Sequence, residues 1–508
     1  MSVRRAVLWR AAVVASVAGS LAFASSARFA HGAPASTPPS APSAPASSVI
    51  PSPGVAAPTV AAVKVPEFRR VVLPNGLTLL LMPIREVPLT AFSAVVRAGA
   101  LGDPAGKAGL ASLTAGLLEK GAGTRDAFQF ADAVADVGGS FSASAGAESI
   151  TIGGQFLSRD RALMIELLAD ALLRPRLEAT EFETLRERQV ELIKAGKDSD
   201  PSGLIDAYGR ALLFGAHPYG SPVGGSERSL AAIGHDDVRQ YWATRFGADR
   251  LTLVFAGDID VAWLEAAVRG AFGGLAPARE ALPPLPEPSH QRGRRVLLVD
   301  APGSVQTYFW LANVGVSRRF PARAALDIVN TLYGGRFTSI LNTELRIKSG
   351  LSYGARSSFV RGSVPGEFAI SSFTQTENTV KALDLALETL ARLKRDGVGS
   401  EPLQSARAYV LGQYPLRLET ASNWAGTLAD LEFFGLDRSY IEGYGPALAA
   451  VGTEDAKAVI ADAFPAPDDL AIVLVGDAAK IRAEVRKYGP LTEIPLAAPD
   501  LLPAPRQP

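Results

Sequence analysis

Arg250–Asp258 (RLTLVFAGD) and Asp469–Asp477 (DLAIVLVGD) are two apolar runs of strand length that both end in Gly-Asp. A helical pattern follows each of them, and their glycines, Gly257 and Gly476, stand 219 positions apart. A strand and a helix that recur at such an interval are typical of a duplicated structural unit. The sequence therefore predicts two homologous halves.

The rest of each half mixes strand and helix patterns. The first half opens with residues 69–82, in which Asn75-Gly76 is the turn dipeptide of a hairpin. The second half opens in a similar way, with a strand pattern at 294–299 and a Pro302-Gly303 turn. Further strands are expected at 91–96 and 307–312, and amphipathic helices at 159–173, 179–195 and 380–393.

This grouping of elements favours an α+β fold. We expect two homologous lobes, each a mostly antiparallel sheet with helices on one face, that form a clamshell around a cleft. The proline-rich passage LPPLPEP at 282–288 separates the lobes. The predicted domain limits are an N-terminal lobe at 67–279, a linker at 280–293, a C-terminal lobe at 294–499 and a tail at 500–508.

The composition excludes several classes of protein. The chain has 508 residues, with 51 basic and 51 acidic side chains, four histidines and no cysteine. Balanced charge argues against a nucleic-acid partner, which needs a basic surface. The absence of cysteine excludes disulfides, iron–sulfur clusters, zinc–thiolate sites and cysteine nucleophiles. No Ser-His-Asp or paired-carboxylate pattern stands out along the chain.

The first 24 residues have the features of a secretory signal peptide: a basic start, an apolar run and an Ala-Phe-Ala ending. We expect export to the periplasm or envelope with cleavage after Ala24, and an uncleaved membrane anchor is the alternative. Residues 25–66, rich in Pro, Ala and Ser, are predicted to be a tether. Beyond the leader, no stretch is apolar enough to predict a transmembrane segment.

The segment at 109–124 (GLASLTAGLLEKGAGT) resembles the first helix of the pitrilysin/insulinase/processing-peptidase family of zinc proteases. That helix reads roughly Gly-Leu-Ala-His-x-x-Glu-His, with Lys-Gly-Thr soon after. The resemblance extends over residues 67–497 and implies the family's two-lobed fold. It rests also on LPNGL at 73–77, Gly138-Gly139, HPYG at 217–220, the two Gly-Asp endings, and the run from Leu345-Arg346 to Tyr353.

In that family the His-x-x-Glu-His pattern places two zinc-binding imidazoles and a general base on one face of the helix. The matching residues here are Ser112, Ala115 and Gly116, and none of them is a zinc ligand or a base. The third ligand of active members is a glutamate on a later helix, and its position here falls on Glu191 or Ile193. The resemblance therefore implies that this chain holds no metal and no cofactor of its own.

The four histidines do not offer another zinc site. His31 precedes both lobes, and His217, His235 and His290 have neither histidine nor glutamate three or four residues later. The two aspartates after His235 indicate the start of a helix. His217 belongs to a loop motif of the family, in which we expect it to pack or to cap.

Arg346 and Tyr353 match the family's Arg-x(6)-Tyr pair, which reaches across the cleft towards the zinc of the opposite lobe. By this resemblance, their guanidinium and phenol groups would donate hydrogen bonds to the substrate carbonyl and its developing oxyanion. The alternative is structural: Arg346 caps or pairs near Glu344, and Tyr353 packs in a strand.

Residues 138–151 correspond to the family's edge strand, which pairs with extended peptide substrates. Active members usually carry asparagine before the residue that matches Ala143, and here that residue is Ser142. The resemblance implies a substrate-binding edge strand at Ser142 and Ala143, but the missing asparagine weakens this prediction.

The chain lacks the zinc-binding residues but keeps the Arg–Tyr pair. By the resemblance, this combination implies that the chain is the non-catalytic, substrate-binding subunit of an exported heterodimeric zinc peptidase that cleaves unfolded peptides. Such a chain is inactive alone, because the zinc must come from a homologous partner, either a separate chain or a second copy. The alternative is a peptide-binding or scaffold protein of the same fold with no proteolytic role.

Overall fold

The computed structural model describes residues 63–502. The predicted signal peptide at 1–24, most of the predicted tether and residues 503–508 lie outside this range. Val65, which the sequence assigns to the tether, is only 3% exposed and packs in a hydrophobic cluster of the folded body. Its amide N–H donates to Glu442 Oε1 at 3.1 Å, so the folded body begins before residue 67.

Twelve strands form two six-stranded sheets in the described part of the chain. In chain order they are β1 Arg69–Val72, β2 Thr78–Pro83, β3 Leu89–Arg97, β4 Ser140–Ala145, β5 Ser149–Leu157, β6 Leu251–Gly257, β7 Arg295–Asp300, β8 Gln306–Val314, β9 Ala355–Arg361, β10 Pro365–Gln375, β11 Ala471–Gly476 and β12 Leu491–Pro495.

Helices connect and cover these strands. In chain order they are α1 Leu110–Leu117, α2 Ala127–Ala135, α3 Arg161–Leu173, α4 Ala179–Ser199, α5 Ile205–Phe214, α6 Glu227–Ala231, α7 His235–Arg245, α8 Val261–Phe272, α9 Arg323–Asn330, α10 Ile340–Asn342, α11 Thr379–Asp396, α12 Ser400–Gln413, α13 Ala421–Phe434, α14 Ser439–Glu442, α15 Tyr444–Ala450, α16 Thr453–Ala463 and α17 Ala478–Val485.

The two sheets have related topologies, which confirms the predicted pair of homologous lobes. The first has the order β1-β2-β6-β3-β5-β4, and the second has the order β12-β7-β11-β8-β10-β9. Most neighbours are antiparallel; the parallel pairs are β2/β6, β12/β7 and β7/β11. The two Gly-Asp segments occupy equivalent central positions, because β6 lies between β2 and β3 and β11 lies between β7 and β8.

Close packing explains the glycine at the end of each central strand. Gly257 has φ +121°, and a Cβ there would lie 2.1 Å from the carbonyl oxygen of Leu89 at the start of β3. A Cβ on Gly476 would lie 2.7 Å from Thr307 Oγ1 at the start of β8. Neither approach leaves room for a side chain.

One expectation about the second half is wrong. The Pro302-Gly303 turn does not close a hairpin like the one at Asn75-Gly76, because β11 lies between β7 and β8. β7 is instead the counterpart of β2, and the outer position beyond it is filled by β12, which arrives from the C-terminal end of the chain and pairs in parallel.

Helices cover both faces of each sheet, and not one face as the sequence suggests. The helices of each half pack on one face of their own sheet. The other face of the first sheet is covered by α13 of the second half, through residues such as Trp424 and Leu428. The other face of the second sheet is covered by α5 of the first half, through Tyr208 and Leu213. The two lobes therefore exchange equivalent helices.

Polar contacts join the lobes beside these helices. Glu148 Oε1 accepts a hydrogen bond from the Tyr219 hydroxyl at 2.7 Å and from the Ser363 amide at 2.8 Å. Arg210 on α5 forms an ion pair of 2.8 Å with the buried Glu367 on β10. Buried polar groups that are paired in this way fix the orientation of one lobe against the other.

Candidate functional site

Helix α1 carries Ser112, Ala115 and Gly116, the three positions that match the two zinc-binding histidines and the general base of the His-x-x-Glu-His pattern. Gly109, with φ +100°, precedes the helix, and the carboxylate of Asp103 accepts the amide N–H groups of Gly109 and Ala111 at 2.9 and 2.8 Å. This contact ties the first turn of α1 to the preceding loop. Ala115 is fully buried in the core of the first lobe.

The residues present do not fit a zinc ion. A Cβ on Gly116 would lie 2.8 Å from Leu185 Cδ2 on α4, so the Leu185 side chain fills the space that an imidazole at position 116 would need. On the same helix, Glu191 is 69% exposed and pairs with Lys194 at 2.9 Å. Ile193 is half-buried, packs against the core of the first lobe and also lines the cavity between the lobes.

No metal-binding cluster occurs elsewhere in the described residues. Between residues 63 and 502, no three His, Cys, Asp or Glu side chains lie close enough to share an ion. Ser112, Ala115, Gly116 and Ile193 together offer one hydroxyl and no carboxylate or imidazole, and a catalytic zinc needs three protein ligands.

We expect that restoring the motif residues alone will not restore tight zinc binding. The variant Ser112→His/Ala115→Glu/Gly116→His/Ile193→Glu should hold well under one zinc per chain after gel filtration, because Leu185 obstructs the second imidazole. Adding Leu185→Ala should raise zinc affinity by about tenfold or more. Elemental analysis measures the zinc content of each variant, and circular dichroism checks that each variant is folded. If the fourfold variant held one zinc tightly without Leu185→Ala, the expectation would be wrong.

Arg346 and Tyr353 lie together on the surface of the second lobe. Arg346 belongs to a π-helical turn, Thr343–Lys348, and its guanidinium carbon lies 4.3 Å from the centre of the Tyr353 ring. On its other side it lies 4.8 Å from the ring of Phe337. The Tyr353 side chain is 74% exposed and Phe337 is 62% exposed. Both contacts are within the range of a favourable interaction between a cation and an aromatic ring.

The structural alternative for this pair is wrong. Glu344 pairs with Lys348 at 2.9 Å and with Arg392 at 3.5 Å, and it does not pair with Arg346. Tyr353 lies in the loop before β9 and not in a strand. Among the described residues, Arg346 has no carboxylate within ion-pair distance.

Two family models match successive parts of the chain. The model described as insulinase (peptidase family M16) matches residues 87–208, and the model described as peptidase M16 inactive domain matches residues 232–410. The chain belongs to the M16 peptidase family. This confirms the family that the sequence motifs indicate.

Individual relatives of this M16 protein agree with the assignment. An uncharacterized zinc protease of Mycobacterium leprae is 28% identical over 72% of this chain and 82% of its own length. The non-peptidase homolog YmxG of Helicobacter pylori is 25% identical over 65% of this chain and 76% of its own. The structure of a peptidase M16 inactive domain from Pseudomonas fluorescens shares the fold, with a TM-score of 0.75, 23% identity, and coverage of 81% of this chain and 98% of that one.

Ile193, one of the two alternatives for the third M16 zinc ligand, and Arg346 of the Arg–Tyr pair line two different cavities. Ile193 lines a cavity of about 850 Å³ between the lobes, along with Glu148 and Phe433. Arg346 lines a different cavity, of about 600 Å³, whose walls come from the second lobe and from Ser202 and Ile205 of the first half.

The strand predicted to bind substrate, β4, lies at the edge of the first sheet. Ser142 is exposed and Ala143 is half-buried. The amide N–H of Ala143 donates to the carboxylate of Glu119, which follows α1. Burial raises the pKa of Glu119, and the bond from Ala143 opposes this shift. This N–H is already satisfied and would have to be released before a peptide paired there.

Two histidines have the structural roles that the sequence indicates. His217 Nδ1 accepts the amide N–H of Tyr219 at 3.1 Å, which confirms capping, and its Nε2–H donates to the carbonyl of Pro286 at 2.9 Å. His235 is the first residue of α7, with Asp236 and Asp237 in the first turn, which confirms a helix start.

Asp103 makes the stability of the α1 region dependent on pH. Burial raises the pKa of Asp103 to about 7, although hydrogen bonds from the amides of α1 oppose the shift. The unfolded carboxyl loses its proton near pH 4 and the folded one near pH 7, so the folded state binds more protons in between. The contribution of Asp103 to stability is therefore greatest below pH 4 and is lost as the pH rises to 7.

We expect the difference in unfolding free energy between wild type and Asp103→Asn to fall as the pH rises from 4.5 to 7.5. Urea unfolding at four pH values measures it, with Asp132→Asn on the exposed face of α2 as a control that shows no such trend. A difference that is constant over this range would contradict the expectation.

Sequence reasoning missed Leu185, Glu119 and Phe337. Leu185 and Glu119 act across contacts between elements that no local pattern reveals. The Gly334-Gly335 pair before Phe337 indicates a turn, but nothing in the sequence shows that Phe337 contacts Arg346. Among the described residues, no helix is both long and apolar enough to cross a membrane.

Proposed function

We propose that the chain is the non-catalytic, substrate-binding subunit of an exported heterodimeric zinc peptidase. In this proposal Arg346 and Tyr353 act in the active site of a homologous, zinc-bearing partner that cleaves unfolded peptides. The observation that carries the proposal is the exposed Arg346–Tyr353 stack, which has no carboxylate partner among residues 63–502. An unpaired guanidinium beside a phenol is suited to an incoming carbonyl oxygen and not to a structural role.

In this proposal, this chain and its zinc-bearing partner supply different catalytic groups. The guanidinium and the phenol donate hydrogen bonds to the substrate carbonyl, and these bonds strengthen as negative charge develops on its oxygen. The metal in the partner supplies the activated water and polarises the same carbonyl. The first lobe of this chain has no part in those steps, because Leu185 and Ala115 leave no site for the ion. Export is part of the proposal and rests on the leader at 1–24.

Reconstitution tests this function. The mature chain, a homologue with an intact His-x-x-Glu-His motif, and their equimolar mixture are each incubated with an unfolded fluorogenic peptide. We expect hydrolysis only in the mixture, with zinc found only in the homologue. Hydrolysis by this chain alone would refute the proposal, and so would an addition that leaves the rate of the homologue unchanged.

A second candidate is a peptide-binding or scaffold protein without a role in proteolysis. The bond between Glu119 and the edge-strand amide of Ala143 favours it, because that bond occupies a group that active members would offer to substrate. Under this candidate, peptides bind to the purified chain but no zinc-bearing homologue gains activity from it.

A further inference from the structure

The cavity beside Arg346 has an unusual charge. It has a volume of about 600 Å³ and is lined by three arginines, Arg336, Arg346 and Arg356, and by no aspartate or glutamate. Its walls also include the aromatic rings of Tyr308, Phe373 and Tyr409. A cavity of this size is large enough for part of a peptide.

The donors of these three arginines are mostly unused. Arg336 Nη1 donates to Ser405 Oγ at 3.2 Å, and its Nε is buried with no hydrogen-bond partner. Arg356 Nε donates to Ser371 Oγ at 3.0 Å. Among residues 63–502, none of the three forms an ion pair with a carboxylate.

Other arginines of the same lobe behave differently. Arg318, Arg361 and Arg392 pair with Asp430, Asp327 and Glu344, respectively, at 2.9 to 3.5 Å. Three like charges in one cavity repel one another, and a partly buried guanidinium without an acceptor is costly. An anion that enters the cavity would remove both costs, because a carboxylate accepts two parallel N–H bonds from a guanidinium.

We infer that this cavity binds a carboxylate group of the peptide, either its C-terminal carboxylate or an acidic side chain. The inference rests on the proposed function in one respect: Arg346, which lines the cavity, and Tyr353, which lies against Arg346, are taken to contact peptide. Aromatic walls suit the apolar neighbours of that carboxylate better than they suit a hydrated inorganic ion. The substrates would then be selected for a negative charge at a set distance from the bond that is cleaved.

Fluorescence anisotropy with the mature full chain tests this. Three labelled peptides of equal length are compared: one with glutamate and a free C-terminus, one with glutamate and a C-terminal amide, and one with glutamine and an amide. We expect the third to bind about tenfold more weakly than the first, and the second to show which carboxylate is recognised. Equal binding of all three would overturn the inference.

Variants locate the contact. Arg336→Gln/Arg356→Gln should abolish the preference for carboxylate, so that the acidic peptides bind this variant no more tightly than the neutral peptide does. Arg395→Gln, which changes the same charge at an exposed ion pair, should keep the preference. An equal loss in Arg395→Gln would overturn the inference, as would displacement of the acidic peptide by stoichiometric inorganic phosphate. Unfolding midpoints that match wild type show that the variants are folded.

The outcome is separable from that of the proposed function. Turnover of the neutral peptide by the reconstituted mixture depends on Arg346 and Tyr353 and not on Arg336 or Arg356. A carboxylate preference in a chain that adds nothing to turnover would refute the proposed function and leave the cavity assignment standing. If turnover needs Arg346 but the peptides show no carboxylate preference, the cavity assignment is overturned and the proposed function stands.

Discussion

Arg346→Ala should lower the kcat of the reconstituted peptidase by roughly 100- to 1,000-fold, the usual cost of one lost oxyanion donor. The guanidinium contacts the rings of Phe337 and Tyr353, and no carboxylate within residues 63–502 pairs with it, so its donors are available for substrate. Because the bonds form mainly in the transition state, kcat and kcat/KM should fall together. Steady-state kinetics of the mixture measure both.

Two conservative variants separate chemistry from packing. Tyr353→Phe keeps the ring that stacks on Arg346 but removes the hydroxyl, and it should also lower kcat. Arg346→Lys keeps the charge but loses the planar fork, and it should recover only part of the activity. Co-elution of the two chains in gel filtration checks that assembly is intact. If Arg346→Ala and Tyr353→Phe both gave wild-type rates, Arg346 and Tyr353 would have no role in the reaction.

Trp424→Ala should destabilise the protein by about 3–5 kcal/mol, the usual cost of deleting a large buried aromatic side chain. Trp424 lies on α13, which belongs to the second half in sequence but covers the sheet of the first half. Amide exchange should therefore accelerate in β3 and β6 as well as in α13. Urea unfolding and hydrogen-exchange mass spectrometry measure the two effects.

A glycine on the same helix provides the control. Gly426 is exposed, and a Cβ there would meet no atom within 4 Å. Gly426→Ala should therefore be neutral or stabilising by up to about 1 kcal/mol, because alanine is the better helix former. Loss of exchange protection confined to residues of the second half in Trp424→Ala would show that α13 does not support the first sheet.

The central strands could be predicted from the sequence, but the way they are covered could not. Every residue of β6 and of β11 is buried, and such continuous apolar runs are typical of strands that are covered on both faces. That pattern says nothing about which helix lies on the second face. The same limit applies to Pro302-Gly303, because a turn signal shows only that the chain reverses direction. It does not show that β11, some 170 residues later in the chain, lies between β7 and β8.

The site was predictable where it follows a motif and unpredictable where it depends on contacts. The resemblance to the family's Arg-x(6)-Tyr pattern was enough to suggest the pair Arg346 and Tyr353. Their stacking with Phe337 was not, because it depends on the π-helical turns Thr331–Gly335 and Thr343–Lys348, whose extra residues change the direction of the side chains. The closure of the zinc position by Leu185 is likewise a contact between helices, visible only once α1 and α4 are packed.

The exchange of α5 and α13 has a consequence for the origin of the chain. A single half cut from this protein would leave one apolar sheet face open to water, which would favour association with another molecule. Before the gene duplicated, the ancestral half would have needed an identical copy to lend it that helix, as in a domain-swapped homodimer. Fusion of two copies would then have made an obligatory association intramolecular, and each half became free to lose or keep its own chemistry.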